Sequence, residues 1–201
     1  MNSDSISMNK PKTLSPEWTE PPGGILVWMI LLVEVLTFAM GLVGFLVQAS
    51  EDSEMFQAGR ASLSQPIGMV NTLVLLTGGW FMTHVISSLR AGKIPAAQKW
   101  IAMTIGSGLL FLVLKGFEYA GKLEHGHTLN SDTFFMLYWL LTGFHFVHVA
   151  VAVVILLVMR RGIRLGHYTQ TKHEDVESSG IFWHMCDLIW LLLYPVIYLL
   201  H

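Results

Sequence analysis

Five long apolar segments constrain what this 201-residue chain can fold into more than any other feature. They cover about residues 25–47, 67–89, 97–119, 133–159 and 178–200. An α-helix rises about 1.5 Å per residue, so about 20 apolar residues are enough to cross the hydrocarbon core of a bilayer. Because the segments lack the strict alternation of barrel strands, they predict an all-α, polytopic membrane protein, a bundle of five transmembrane helices.

The composition agrees with this prediction and excludes some other classes. Hydrophobic residues make up 53% of the chain and charged residues only 13%, whereas soluble domains are about a quarter charged. A net charge of −2 gives no reason to expect nucleic acid as a partner. The single cysteine, Cys186, excludes an intrachain disulfide and a cysteine zinc cluster. Residues 1–23 are polar and lack the apolar core of a signal peptide. We expect them to be a flexible tail before a transmembrane domain at 24–201.

The basic residues are unevenly divided between the two sides of the predicted bundle. Cytoplasmic loops of membrane proteins carry an excess of Lys and Arg. Nine basic residues fall on the side of the N-terminus and three on the other, which together account for all 12: Lys10, Lys12, Arg90, Lys93, Lys99, Arg160, Arg161, Arg164 and Lys172, against Arg60, Lys115 and Lys122. The distribution predicts a cytoplasmic N-terminus and a periplasmic C-terminus.

Ionisable side chains inside the predicted spans are the candidates for function, because such groups are rare, costly and usually face the bundle interior. They are Glu34, His84, His145, His148, His184 and Asp187. Two pairs are spaced three residues apart, His145 with His148 and His184 with Asp187, and residues at this spacing are neighbours on a helix surface. Helix rise also places the two carboxylates at a similar depth, about 14 Å from the cytoplasmic face. We predict that the six residues form a buried polar network between helices.

This network has three conceivable roles: hydrogen bonding between helices, proton conduction or buffering, and ligation of a metal or haem. Neutral imidazole is the usual ligand of haem iron, copper and zinc. However, two histidines on one helix cannot reach opposite sides of one haem, and the chain has no Cys-x-x-Cys-His or His-Glu-x-x-His motif. We therefore predict no metal ligands. The first role is favoured over the second, and the two are compatible.

Four further residues lie near span ends or on the same face of the last segment. For Glu118, Trp183 and Trp190 we predict contacts with lipid or with an interface. Spacings of 4, 3 and 4 residues also form a stripe typical of a face packed against other helices, made of Trp183, Asp187, Trp190 and Tyr194. Lys115 is expected to extend its ammonium group to the outer membrane interface.

The order of these motifs resembles subunit III of the haem–copper oxidases. The resemblance rests on LLVEVLTFAMG at 31–41, NTLVLLTGG at 71–79, KGFEY at 115–119, LLTGFHFVHV at 140–149 and FWHMCDLIWLLLYPVIYLL at 182–200. It covers nearly the whole chain and corresponds to a five-helix form of the family. The stretches NTLVLLTGGW, KGFEYAGK and MLYWLLTGFH look most similar to members associated with bacterial nitric oxide reductases. Subunit III of quinol oxidases is the nearest alternative.

The resemblance implies a non-catalytic accessory subunit of the bacterial inner membrane. Such a subunit binds no haem or copper and packs beside the catalytic haem–copper subunit and other subunits of a respiratory complex. It supports their assembly, stability and proton uptake, and it can hold a phospholipid. Glu34 matches the family's carbodiimide-reactive carboxylate. The resemblance leaves open whether the partner, a cytochrome c oxidase, quinol oxidase or nitric oxide reductase, reduces oxygen or nitric oxide. Two alternatives of another class are a self-contained membrane haem protein and a proton channel.

Overall fold

The computed structural model describes residues 24–200, which are helical almost throughout. In chain order the helices are α1 Gly24–Glu51, α2 Ser53–Ser62, α3 Gln65–Arg90, α4 Ile94–Glu124, α5 Thr133–Arg164 and α6 Glu174–Tyr194, with α6 continued by a π-helical turn at Pro195–Leu199. Within this described part, five helices are long and apolar enough to cross a membrane. The predicted all-α fold with five transmembrane helices is confirmed. The tail predicted at 1–23 lies outside the described residues.

Helix α2, which is additional to the five long helices, is short and was not predicted from the sequence. The carboxylate of Asp52 caps it by accepting a hydrogen bond from the backbone N–H of Met55 at 3.1 Å. Asp132 caps α5 in the same way, accepting from the N–H of Phe135 at 2.8 Å. Phe56 is the buried anchor of α2, packed edge-on against Phe45 of α1 at 5.0 Å between ring centroids. The helix therefore covers one end of the bundle, called the α2 end below.

Four helices form the core of the bundle and one lies beside it. Each of α3, α4, α5 and α6 packs against two others in a closed ring, whereas α1 packs mainly against α5, α6 and the short α2. Of its 28 residues, α1 buries only Leu31, Phe38, Leu42 and Phe45. Its long aliphatic face is open to the membrane.

Small residues let the core helices approach closely, as helix packing in membranes requires. A side chain at Gly78 of α3 or Gly108 of α4 would collide with the indole of Trp183, which is 1% exposed. By contrast, Gly106 faces open space. These two glycines thus let α3 and α4 pack closely around one buried tryptophan of α6.

The end of α6 departs from α-helical geometry at Pro195. Proline has no N–H to donate, and helices that lose a bond often adjust locally. The N–H of Leu200 bonds the carbonyl of Pro195 at 2.9 Å, a spacing of five residues. This turn places the Tyr198 side chain inside the bundle, where it is 0% exposed.

Candidate functional site

The first candidate pair joins the peripheral helix α1 to α5. Nε2 of His148 lies 3.1 Å from a carboxylate oxygen of Glu34, and the side chains are 12% and 23% exposed. Nδ1 of His148 lies 2.8 Å from the carbonyl oxygen of Phe144, which can only accept, so Nδ1 carries a hydrogen. One proton must then lie between Nε2 and Glu34. The pair is either an imidazolium with a carboxylate or a neutral imidazole with a carboxylic acid.

The second pair is formed within α6 and faces α3. Nδ1 of His184 lies 3.6 Å from Oδ2 of Asp187. The same carboxylate lies against Gly79, where any larger residue would overlap it. The other oxygen, Oδ1, is buried without a hydrogen-bond partner among the described residues. The His184 side chain is 43% exposed, so this pair reaches the surface of the bundle.

The remaining two predicted residues are not bonded to either pair. His145 is fully buried, and neither ring nitrogen has a hydrogen-bond partner in the described part of the chain. Its ring stacks on Trp190 at 5.3 Å and meets Phe111 edge-on at 5.7 Å. His84 lies apart, between Trp80 and Trp100, with centroid distances of 4.5 and 4.8 Å. The six residues therefore do not form the single network that the sequence analysis predicts.

The most extensive buried polar cluster was missed from the sequence, and we call it the lysine cluster. It consists of Lys115 and Glu118 of α4, Tyr138 of α5 and Tyr198 of the π-helical turn. The Lys115 ammonium donates to Oε2 of Glu118 at 3.1 Å, to the Tyr138 hydroxyl at 3.2 Å and to the Tyr198 hydroxyl at 2.5 Å. Both hydroxyls donate in turn to Oε1 of Glu118, at 2.8 and 2.6 Å. Every ammonium hydrogen is used, and the two charges cancel.

Aromatic rings complete the surroundings of this ammonium group. Its nitrogen lies 5.1 to 5.2 Å from the ring centroids of Tyr119, Tyr138 and Trp190. Rings at such distances attract a cation through their negative faces. The cluster is thus a closed unit that binds three helices to one another near the α2 end.

Three predictions from the sequence are wrong: the position of Lys115, and the lipid contacts of Glu118 and of the two tryptophans Trp183 and Trp190. Lys115 does not extend to the membrane interface, because its ammonium group finds acceptors inside the bundle and the residue is 0% exposed. Glu118, 6% exposed, faces its lysine rather than lipid. Trp183 and Trp190 are each 1% exposed, so they do not contact lipid, whereas the predicted packing of their stripe against other helices is confirmed. Gly78 and Gly108 leave room for Trp183, and Thr72 accepts a hydrogen bond from Trp190 at 3.0 Å. The i, i+3 spacing of Lys115 and Glu118 was the signal that could have revealed the cluster.

Metal ligation has no support in the geometry of the described residues. Nowhere between residues 24 and 200 do three or more His, Cys, Asp or Glu side chains come close enough to hold a metal ion together. The polar residues instead form separate groups, of which the Glu34–His148 pair and the lysine cluster link helices.

Comparison with known proteins identifies the family of the chain. Residues 26–201 match the family described as cytochrome c oxidase subunit III. The chain belongs to the cytochrome c oxidase subunit III family. Family membership implies partnership with the catalytic subunits of an oxidase complex, and it identifies the five helices as those of a membrane-embedded subunit.

Bacterial and animal relatives illustrate the breadth of the family. The cytochrome c oxidase subunit 3 of Synechocystis is 30% identical over 175 residues, which cover 87% of this chain and 74% of the relative. A probable subunit 3 of Mycobacterium leprae is 26% identical over 194 residues, covering 96% and 90%. The subunit 3 of Branchiostoma floridae is 33% identical over 132 residues, covering 66% of this chain and 49% of the relative. All three are described as oxidase subunits, so similarity to the members associated with nitric oxide reductases stays a prediction.

Proposed function

We propose that this chain is a non-catalytic accessory subunit that packs beside the catalytic subunit of a respiratory haem–copper oxidase. The family match over residues 26–201 carries the proposal. The chemistry of the interior supports it, because the buried charges are used to link helices rather than converging on a reacting centre. Lys115 and Glu118 neutralise each other, and Glu34 is joined to His148. Haem and copper belong to the partner in this proposal.

Co-purification is the direct test of this function. Mild solubilisation of the native membrane, followed by affinity capture of a tagged chain, should recover a catalytic haem–copper subunit in near-stoichiometric amount. Recovery of the chain alone, under conditions in which other respiratory complexes stay intact, would contradict the proposal. A Soret band in the isolated chain would instead favour the haem-protein alternative.

The proton held between Glu34 and His148 suggests what the subunit contributes besides assembly. The pair joins α1, which lies outside the ring of core helices, to α5. The 3.1 Å contact would let one proton pass directly between the two side chains. We propose that it supports proton uptake by the partner while holding α1 in place. If a Glu34→Gln chain assembles normally and the complex sustains turnover at the wild-type rate, a role of the pair in proton uptake is ruled out.

The proposal also concerns the substrate of the partner, which is oxygen or nitric oxide. The motifs NTLVLLTGGW and KGFEYAGK favour a complex linked to nitric oxide reduction, whereas the relatives named above are subunits of cytochrome c oxidases. Oxygen and nitric oxide consumption by the purified complex distinguish these readings. Mass spectrometry of the co-purified catalytic subunit would identify it independently.

The charges at the two ends support a proposed orientation and location. The end formed by the α3–α4 and α5–α6 loops carries Arg90, Lys93 and the three arginines of the last turns of α5. By the positive-inside rule this end faces the cytoplasm, and the α2 end faces the periplasm of a bacterial inner membrane. A reporter that is active only in the cytoplasm should be active when it is fused after residue 92. A reporter that is active only in the periplasm should be active when it is fused after residue 127.

A phospholipid is the remaining expected ligand. An apolar groove of about 290 Å³ runs between α1, α5 and α6, lined by residues that include Leu31, Ile155 and Phe182. Its lining suits an acyl chain, and we propose it as the place for one. Native mass spectrometry of the purified chain should detect a retained lipid that Ile155→Trp, which fills the groove, displaces.

A further inference from the structure

The outward surfaces of α1 and α3 differ in a way that bears on where a partner binds. The exposed residues of α1 are aliphatic along most of its length, as Leu32, Val33, Leu36 and Met40 show. Such a surface suits lipid chains, which offer no hydrogen bonds. The surface around α3 carries imidazoles and indoles instead. We call it the α3 face and define it by Trp80 and His84 of α3, Trp100 of α4, His184 of α6 and the groove between α3 and α4.

His184 makes this surface costly to leave in lipid. It lies ten residues after the start of α6, and therefore about 15 Å along the helix from that end. Its side chain is 43% exposed, and its Nδ1 lies 3.6 Å from Oδ2 of Asp187. A polar group in hydrocarbon without a hydrogen bond is strongly unfavourable. Polar side chains within membrane spans usually face protein rather than lipid.

His84 indicates what chemistry the partner supplies. Its Nδ1 lies 3.0 Å from the carbonyl oxygen of Trp80 and therefore carries the hydrogen. In the neutral ring Nε2 is then an acceptor, and no described residue donates to it. The ring lies about 9 Å from the end of α3, since six residues separate it from Arg90. Acyl chains have no donor at this depth, whereas side chains of a protein helix do.

The adjoining groove gives the same surface its shape. It has a volume of about 360 Å³ and is lined by apolar residues that include Leu73, Phe81 and Met103. Gly106 forms part of the lining and leaves open space in front of it. The hydroxyls of Thr77 and Ser107 are already bonded to carbonyls of their own helices. The groove therefore accepts apolar side chains, and the polar contacts on the α3 face are made by His84 and His184 outside the groove.

We propose that the α3 face is the docking surface for the catalytic subunit, and that its occupant is a transmembrane helix with apolar side chains in the groove and a hydrogen-bond donor at His84. This inference rests on the proposed function, because it assigns a surface to the partner named there. It also assigns the aliphatic face of α1 to lipid.

Photocrosslinking at two matched positions tests the assignment. Benzoylphenylalanine is introduced in place of Leu73 on the α3 face or in place of Leu32 on α1, which are 55% and 61% exposed. Irradiation of native membranes should crosslink the catalytic subunit from position 73 and not from position 32. Three results would overturn the docking surface while a partner still co-purifies: crosslinks to that subunit only from position 32, crosslinks only to a second copy, or adducts only with lipid. Failure to recover any partner would overturn the proposed function first, and this inference with it.

A substitution tests the hydrogen-bonding part of the proposal. His84→Phe keeps an aromatic ring between Trp80 and Trp100 but removes the acceptor. The fraction of chain that stays bound to the catalytic subunit in detergent should fall about fivefold to tenfold, as expected for one lost hydrogen bond. His125→Phe, in the exposed loop at the α2 end, is the control and should leave that fraction unchanged. Equal retention of the partner by both variants would contradict a donor at His84.

Discussion

The lysine cluster and the Glu34–His148 pair are both buried acid–base contacts, but they differ in how completely they are satisfied. The Lys115 ammonium uses all three hydrogens, and Glu118 accepts three hydrogen bonds. Glu34 and His148 share one contact and are partly exposed. The difference follows from position, because the cluster lies between three helices whereas the pair lies at the edge, where α1 meets the ring. A closed cluster stabilises the fold, and an open pair can exchange a proton.

Lys115→Met gives the largest expected effect on this comparison. The change removes the cation and leaves Glu118 buried without its partner, which typically costs about 3–5 kcal/mol. We expect a large fall in the thermal unfolding temperature of the detergent-solubilised chain. The double variant Lys115→Met with Glu118→Leu should recover part of the loss, because both charges are then absent. A single variant as stable as wild type would show that the ion pair does not support the fold.

His148→Leu is expected to have a smaller effect. It leaves the acid of Glu34 without its imidazole, but the carboxyl can take up a proton and is partly open. The free energy of unfolding should fall by about 1–3 kcal/mol, measured by thermal unfolding as above. His125→Leu in the exposed loop is the matched control and should change little. Equal losses in the two variants would remove the distinction between a helix-linking and a surface histidine.

Tyr198→Phe probes the closure of the lysine cluster without changing its charges. The ring stays in place, but one donor to Glu118 and one acceptor for Lys115 are lost. We expect a loss of about 1–1.5 kcal/mol in stability. Tyr194→Phe serves as control, because the Tyr194 hydroxyl makes only a 3.5 Å contact with the carbonyl of Gln65. If the control lost as much as Tyr198→Phe, the cluster would not be the source of the effect.

Glu34→Gln should have the smallest effect on stability and a separate effect on function. The glutamine amide can still donate to Nε2 of a neutral His148, so the helix contact is kept and stability should change by under about 1 kcal/mol. The shared proton is lost, however, so sustained turnover of the partner complex should fall. Normal stability with reduced turnover would separate this pair from the lysine cluster. A large loss of stability instead would make the two regions alike.

Most of the fold could be predicted from the sequence, whereas the pairing of the polar residues could not. Five apolar runs of sufficient length determine five spans, because hydrocarbon requires backbone groups to bond within the segment. The short helix α2 was not predicted, since its signal is one capping aspartate and a single buried phenylalanine. Helix periodicity identified Trp183, Asp187 and Trp190 as one face packed against other helices, and all three are buried. It did not show which residues of the other helices they contact.

The sequence by itself determined the five membrane-spanning helices, the family and the presence of costly polar groups in the membrane. Only the tertiary structure decided which of those groups meet. Lys115 lies near the end of a span, and this position alone does not decide whether its ammonium group reaches water or is buried. The outcome depends on Tyr138 and Tyr198, which are 23 and 83 residues away and arrive through helix packing and the π-helical turn. The spacing of residues along one helix does not show which residues of another helix they contact. The largest polar cluster of the bundle was therefore found only in the tertiary structure.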